Sequence, residues 1–218
     1  MRRIAGIDEA GRGPVIGPMV IAGVVVTEDR VKKLRDIGVK DSKKLAPKKR
    51  EQLLNPIMEL IEAHHIEVID ASSIDYTRLS KNINLLEAEV MAKIINHLTP
   101  EIAQIGSVDV NCERFRNRVI SGLSSQVEVI SVHHAEDMYP AVAAASIIAK
   151  TTRDRIISSL RERYGDFGSG YPSDQKTRNF IADQYANNCE MPPIVRFSWK
   201  TVFNITGTEG KKYAQKTL

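Results

Sequence analysis

Arg3-Ile-Ala-Gly-Ile-Asp-Glu-Ala-Gly-Arg-Gly-Pro14, running into Val15-Ile-Gly-Pro-Met-Val-Ile-Ala-Gly-Val-Val-Val26, decides the fold class. Arg3–Asp8 and Val15–Val26 read as apolar strands, the second rich in β-branched residues that suit a buried strand. The turn between them, Glu9-Ala-Gly-Arg-Gly-Pro14, is rich in glycine. Outward from this pair the pattern alternates. A short helix is expected over Glu28–Ile37, and Pro47 opens a longer one with Leu53, Ile57, Leu60 and Ile61 at helical spacing. His65–Asp70 reads as a strand and Ile83–Leu98 as a helix with Leu86, Val90, Ile94 and Leu98 on one stripe. Ile102–Val110 and Val127–Val132 are further strands, with a helix near Glu113–Leu123 between them. Tyr139–Arg163 is the clearest helix, entered through Pro140, and its small residues Ala141–Ser146 allow close approach to a sheet. A further helix is expected from Ser173, and Pro192-Pro193 marks a boundary. The class is therefore α/β, a mixed sheet flanked by helices with a small helical C-terminal segment.

The chemistry starts at the end of the first strand. Asp8-Glu9 follows Ile4, Ala5 and Ile7, and a carboxylate at a strand end is costly unless it is paired or binds a metal. A turn acid capping the next loop is the plainer alternative. Asp109 is a second acid in an apolar strand pattern, and Glu136-Asp137 precedes the alanine-rich helix. Two carboxylates about 4 Å apart at an effective dielectric near 20 repel by roughly 4 kcal/mol. If these acids converge, they demand a cation. An all-oxygen set suits Mg²⁺ or Mn²⁺ rather than zinc. On the same argument Asp109→Asn is expected to keep or raise metal-free stability.

Other stretches carry weaker signals. Gly11-Arg12-Gly13 permits positive φ and close backbone approach, and Arg12 can reach a phosphate. It is no P-loop, because Gly17 is followed by Pro18-Met19 rather than Lys-Ser/Thr, which weakens a mononucleotide-binding reading. Asp41-Ser-Lys-Lys-Leu45 lies in a basic run: ten Lys/Arg residues fall between Arg30 and Arg50 against Asp36 and Asp41. Such a run is a solvated face or a phosphate-binding one. Tyr171, in Gly168-Ser-Gly-Tyr-Pro172, suits stacking on a sugar or base, or the anchoring of its own loop. His133-His134 reads as a strand end, and Trp199 as a core anchor for the C-terminal segment.

Bulk composition bounds the remaining possibilities. The 218 residues are 42% hydrophobic and 27% charged, with a net charge of +4, ordinary for a globular protein with a slight lean toward polyanions. No apolar run is long enough to span a membrane, and no leader pattern opens the chain. Cys112 and Cys189 make no ligand-spaced pair and read as reduced thiols of a cytoplasmic protein.

Taken together, Gly6-Ile-Asp-Glu-Ala-Gly-Arg-Gly-Pro14, Asp41-Ser-Lys-Lys-Leu45, Tyr139-Pro-Ala-Val-Ala-Ala-Ala-Ser-Ile-Ile-Ala-Lys150 and Gly170-Tyr-Pro172 resemble ribonuclease HII, from about Arg3 to about Thr201. Arg196-Phe-Ser-Trp-Lys-Thr201 looks like the archaeal members. The resemblance implies a ribonuclease H-like catalytic domain over residues 1–186, with 187–218 packing on it, and the polar tail after Gly207 reads as disordered. The resemblance also implies four metal-binding catalytic acids. Asp8, Glu9 and Asp109 match three of them. The fourth is Glu136, where the family has Asp, or its neighbour Asp137. The expected cofactor is Mg²⁺ or Mn²⁺, two ions acting on one phosphodiester to leave 5′-phosphate and 3′-hydroxyl ends. The expected partners are RNA–DNA hybrid and duplex DNA carrying single ribonucleotides, cut 5′ of the ribonucleotide. By the same resemblance Gly11, Arg12 and Gly13 read the 2′-hydroxyl, Tyr171 stacks on the adjacent deoxyribose, and Lys43 and Lys44 contact phosphates. No membrane partner is expected, no protein partner is identifiable, and a monomer suffices. A DNA nuclease of the same fold and a non-catalytic hybrid-binding module are the rival readings.

Overall fold

The computed structural model describes residues 1–39, 45–188 and 191–208. Lys43, Lys44, Cys189 and the tail from residue 209 lie outside the described residues. The strands are β1 (Arg3–Ala10), β2 (Met19–Thr27), β3 (Ala63–Ile69), β4 (Ile102–Gly106) and β5 (Glu128–Val132). They form one sheet in the order β3-β2-β1-β4-β5, with β1 central. β1 runs antiparallel to β2, with Asp8 opposite Ala22, and parallel to β4, which is parallel to β5. The helices are α1 (Val31–Asp36), α2 (Pro47–Leu60), α3 (Ala71–Ser80), α4 (Ile83–Leu98), α5 (Cys112–Ser121), α6 (Ala135–Met138), α7 (Pro140–Tyr164), α8 (Gln175–Asn188) and α9 (Lys200–Thr206). A mixed sheet flanked by helices is the expected class. No helix among the described residues is long and apolar enough to cross a membrane.

The chain divides into two compact units that interleave in sequence. The first holds 1–10, 20–67 and 84–152, hence most of the sheet and the first half of α7. Its layers are set by glycine. A Cβ on Gly6 would overlap the Ala141 carbonyl carbon and the Val142 nitrogen, so α7 lies directly on β1 and only its alanine-rich stretch fits there. Strand alternation places Asp8 on the same face as Gly6, toward α7. On β2, a Cβ at Gly23 would meet side chains of Ile94 and Leu98 from α4.

The second unit holds 11–19, 68–83 and 153–218. Its core gathers Val15, Ile16, Ile157, Phe167, Ile181 and Val195, with Trp199 packed against it. Val15 and Ile16, expected within the second strand, belong here. Gly17 at φ +87° and Pro18 interrupt the extended run, so β2 begins only at Met19. Ile16 instead bridges Val195, supported by Gly17 N–H to Ile194 O at 2.8 Å and Arg196 N–H to Val15 O at 2.8 Å. Pattern reading gave no sign of α3. Its apolar positions are sparse, and it starts because the Asp70 side chain accepts the Ser73 N–H at 2.7 Å.

Candidate active site

In the first unit, Asp8 and Glu9 stand where β1 ends, opposite Ala22 and Ile21 of β2. They line a cleft of about 230 Å³ together with Ser107, Val108, Glu136 and Lys150. Asp8 is 8% exposed and Glu136 6%. Asp8 accepts a hydrogen bond from Ser146 on α7, and Lys150 Nζ donates to Ser146 Oγ at 2.8 Å. Burial, and then the neighbouring Glu9, push the Asp8 carboxyl well above the ordinary carboxylate range. The Ser146 bond and the Lys150 charge oppose this without cancelling it.

Glu136 and Asp137 part company on α6. Glu136 is buried and faces the cleft of Asp8 and Glu9, whereas Asp137 is exposed. Both acids, with His134, also offer ligand atoms within 4.8 Å of one another. His134 sits at φ +54° as the N-cap of α6, in the turn that it forms with His133 after β5.

Asp109 is placed differently. It is 3% exposed and turned to α5, where its carboxylate takes Arg114 Nε at 3.0 Å, a second bond from Arg114 Nη2, Arg118 Nη1 at 3.1 Å and the Asn111 N–H at 3.1 Å. Arg114 first, and then the Asn111 N–H, hold its carboxyl well below the usual range. The repulsion argument therefore applies to Asp8, Glu9 and Glu136 but not to Asp109. The expectation that Asp109→Asn would preserve stability gives way, because the substitution removes the partner of two arginines.

Asp8, Glu9 and Glu136 are crowded into one cleft, where Glu9 and Glu136 oppose the ionisation of Asp8. An all-oxygen donor set of Asp8, Glu9 and Glu136 meets the preference of a hard divalent cation, so these residues fit a metal. Lys150 and Ser146 were quoted from sequence only as parts of a motif. Their i, i+4 spacing on α7 was the available signal.

In the second unit, Gly11-Arg12-Gly13 is gripped through its carbonyls. Arg196, fully buried, donates from Nη2 to Gly11 O at 2.7 Å, from Nη1 to Arg12 O at 3.1 Å and from Nε to Gly17 O at 2.9 Å. Trp199 Nε1 donates to Gly13 O at 3.1 Å. Its ring packs against the core, as expected of an anchor, and lies under the guanidinium groups of Arg78 and Arg196. Tyr171 is 45% exposed, and a Cβ on Gly13 would lie 3.6 Å from its Cε1. Gly168 and Gly170, both at positive φ, shape its loop, and Gly170 O accepts Val15 N–H at 2.7 Å.

A mixed sheet with a central strand ending in buried acids, covered by a helix that brings a lysine to them, defines a nuclease of the ribonuclease H-like class. The chain belongs to the ribonuclease HII family, whose model matches residues 5–202. Ribonuclease HII of Thermococcus sibiricus is 46% identical over 218 residues, covering 99% of this chain and 96% of that one. The crystal structure of ribonuclease H2 from Pyrococcus horikoshii superposes with a TM-score of 0.89 at 41% identity, covering 98% of this chain and 99% of the other. A structure of the PCNA:RNase HII complex from Archaeoglobus fulgidus gives 0.84 at 42%, covering 93% and 96%. The protein is thus a nuclease, a hydrolase acting as an endoribonuclease of the ribonuclease H type.

Proposed function

We propose that the protein incises duplex DNA 5′ of single embedded ribonucleotides, as well as the RNA strand of RNA–DNA hybrids. The reading is carried by one observation above the others: the exposed Tyr171 lies against Gly13 of a loop whose carbonyls are all turned inward. The 2′-hydroxyl is the only difference between RNA and DNA that every nucleotide offers. Amides of Gly11-Arg12-Gly13 are suited to meet it, and an aromatic face beside them suits the neighbouring sugar. A DNA nuclease would need neither.

Asp8, Glu9, Asp109 and Glu136 would hold Mg²⁺ or Mn²⁺, with Asp137 the alternative to Glu136. Glu136 is preferred because it is buried in the Asp8 cleft, and Asp137 is exposed. Bound divalent ions supply an activated water and neutralise charge at the leaving 3′-oxygen. Ser146 and Lys150 favour the ionised, ligating form of the Asp8 carboxyl without fully offsetting its burial. Asp109 would enter the set by sharing a carboxylate now held by Arg114 and Arg118. Lys43 and Lys44 are proposed phosphate contacts. The Archaeoglobus relative has a structure in complex with PCNA, so PCNA is the first protein partner to test.

The deciding experiment is Mg²⁺- and Mn²⁺-dependent cleavage of a DNA duplex carrying one ribonucleotide, with the all-DNA duplex as control. A single cut 5′ of the ribonucleotide, absent in the control and in Asp8→Asn, is expected. Cleavage of the all-DNA duplex would sink the junction reading. Tight binding without cleavage in either metal would favour a non-catalytic hybrid-binding module.

A further inference from the structure

We propose that Arg196 is a positioning residue for ribose recognition, its guanidinium fork aiming the backbone amides of Arg12 and Gly13 by gripping the carbonyls that precede them. The inference rests on the proposed role of the Gly11–Gly13 loop and assigns its geometry to a side chain far away in sequence. In a trans peptide the N–H of one residue points opposite to the C=O of the residue before it. The described backbone holds no cis bonds. With Gly11 O at 2.7 Å from Nη2 and Arg12 O at 3.1 Å from Nη1, both carbonyls face the buried guanidinium. The Arg12 and Gly13 N–H groups are thereby directed to the opposite side of the loop, and Gly13 is exposed.

Three features show that the grip is built rather than incidental. Arg196 spends all three nitrogens on backbone carbonyls of one loop, using Nε for Gly17 O. Nothing in simple loop closure calls for this. Burying a guanidinium is costly, and apolar packing would close the loop more cheaply. Burial accordingly pulls its pKa down, to about 9. A second buried arginine, Arg153, completes the cradle by donating to Pro18 O at 3.1 Å and Ile16 O at 3.3 Å. Gly11 must be glycine here, since its φ is +87° and a Cβ would strike the Arg153 side chain and come within 2.7 Å of Pro18 O. Arg196 is itself fixed from behind. Asp75 on α3 accepts the Phe197 N–H at 2.6 Å and the Ser198 N–H at 2.9 Å.

The test compares affinities of the full chain, in EDTA, for two labelled duplexes identical but for one 2′-hydroxyl. The readout is their ratio, which a merely structural or electrostatic role would leave alone. Arg196→Lys keeps the charge but cannot span three carbonyls. It is expected to keep a cooperative melt and to lower the ratio by about tenfold, the worth of roughly one good hydrogen bond. Trp199→Phe keeps the ring, removes only the donor to Gly13 O, and is expected to lower the ratio by a smaller factor. It serves as the deciding variant if Arg196→Lys does not fold. A folded variant that weakens both duplexes equally, or leaves the ratio at the wild-type value, overturns the inference. A wild-type ratio near one would instead overturn the ribose-reading loop itself.

Discussion

Lys150 donates to Ser146, one turn earlier on α7, and Ser146 bonds onward to Asp8 at the end of β1. This chain of groups links the helix that covers the sheet to the strand that carries the acids. It lets the lysine that lines the cleft act on Asp8 both through its charge and through the Ser146 hydroxyl.

The moderation is incomplete, and this sets the first prediction. The Asp8 carboxyl titrates well above its unfolded value, chiefly through burial. A raised acid holds its proton more tightly in the folded state, so its contribution favours folding at low pH and is lost as pH rises through the folded pKa. Asp8→Asn removes that loss. In EDTA at pH 7 its Tm is expected to exceed wild type by about 2–4 °C, the equivalent of about 1 kcal/mol for a chain of this size. The difference should vanish near pH 4. An equal or lower Tm at pH 7 would show that Asp8 is satisfied without a cation.

Asp109 should behave in the opposite way. Its carboxyl is depressed chiefly by Arg114 and then by the Asn111 N–H, so its contribution is present above the unfolded pKa and lost as pH falls through the folded one. Asp109→Asn is expected to lower the metal-free Tm at pH 7, with the gap closing toward strongly acidic pH. Thermal melts of the two proteins across pH decide it, and a Tm preserved at pH 7 would show that the arginine pairs contribute nothing.

These opposed signs show where sequence reading stopped. β1, α4 and α7 were legible because periodicity, Pro140 and the alanine run are local signals. Asp8 and Glu9 were legible because carboxylates stood out against an apolar strand, and Glu136 through the family resemblance, which left Asp137 as its alternative. Asp109 was also found, but its partners were not. Arg114 and Arg118 lie one turn apart on a helix whose orientation only the fold supplies. Arg196 was quoted only as part of a motif, and its grip on Gly11, 185 residues away, was not legible. The break at Gly17-Pro18 could have been read from those residues, whose turn chemistry was outweighed by the β-branched run that follows.

Gly6→Ala tests the contact on which the first unit is built. The added methyl would overlap the backbone of Ala141 and Val142, which cannot rotate away as a side chain could. A loss of about 3 kcal/mol or more is expected, at the upper end of overpacking costs. Urea unfolding measures it, and a change under 1 kcal/mol would mean that α7 can lift from β1.

Tyr171→Ala tests the second unit without disturbing its core, because the residue is 45% exposed and stands outside the core cluster. Cleavage at a single embedded ribonucleotide should slow by about ten- to a hundredfold, the usual range for loss of one stacking aromatic, with Tm unchanged. Tyr171→Phe should restore most of the rate, as stacking needs the ring and not the hydroxyl. Unchanged rates in Tyr171→Ala would remove the residue from the substrate surface.

The fourth acid is settled by metal-dependent stabilisation rather than by activity alone. A ligand that binds only the folded state raises stability with concentration, by about 2.7 kcal/mol at a hundred times its Kd. Glu136 is buried in the Asp8 cleft, whereas Asp137 is exposed. Glu136→Gln should therefore lose most of the Tm increase that Mn²⁺ gives the wild type, while Asp137→Asn keeps it. Glu136→Asp, which shortens the arm by one methylene, should recover part of the increase if the carboxylate is the ligand. The reverse pattern, with Asp137→Asn insensitive to Mn²⁺ and Glu136→Gln responsive, would move the metal away from Asp8 and toward the exposed face of α6.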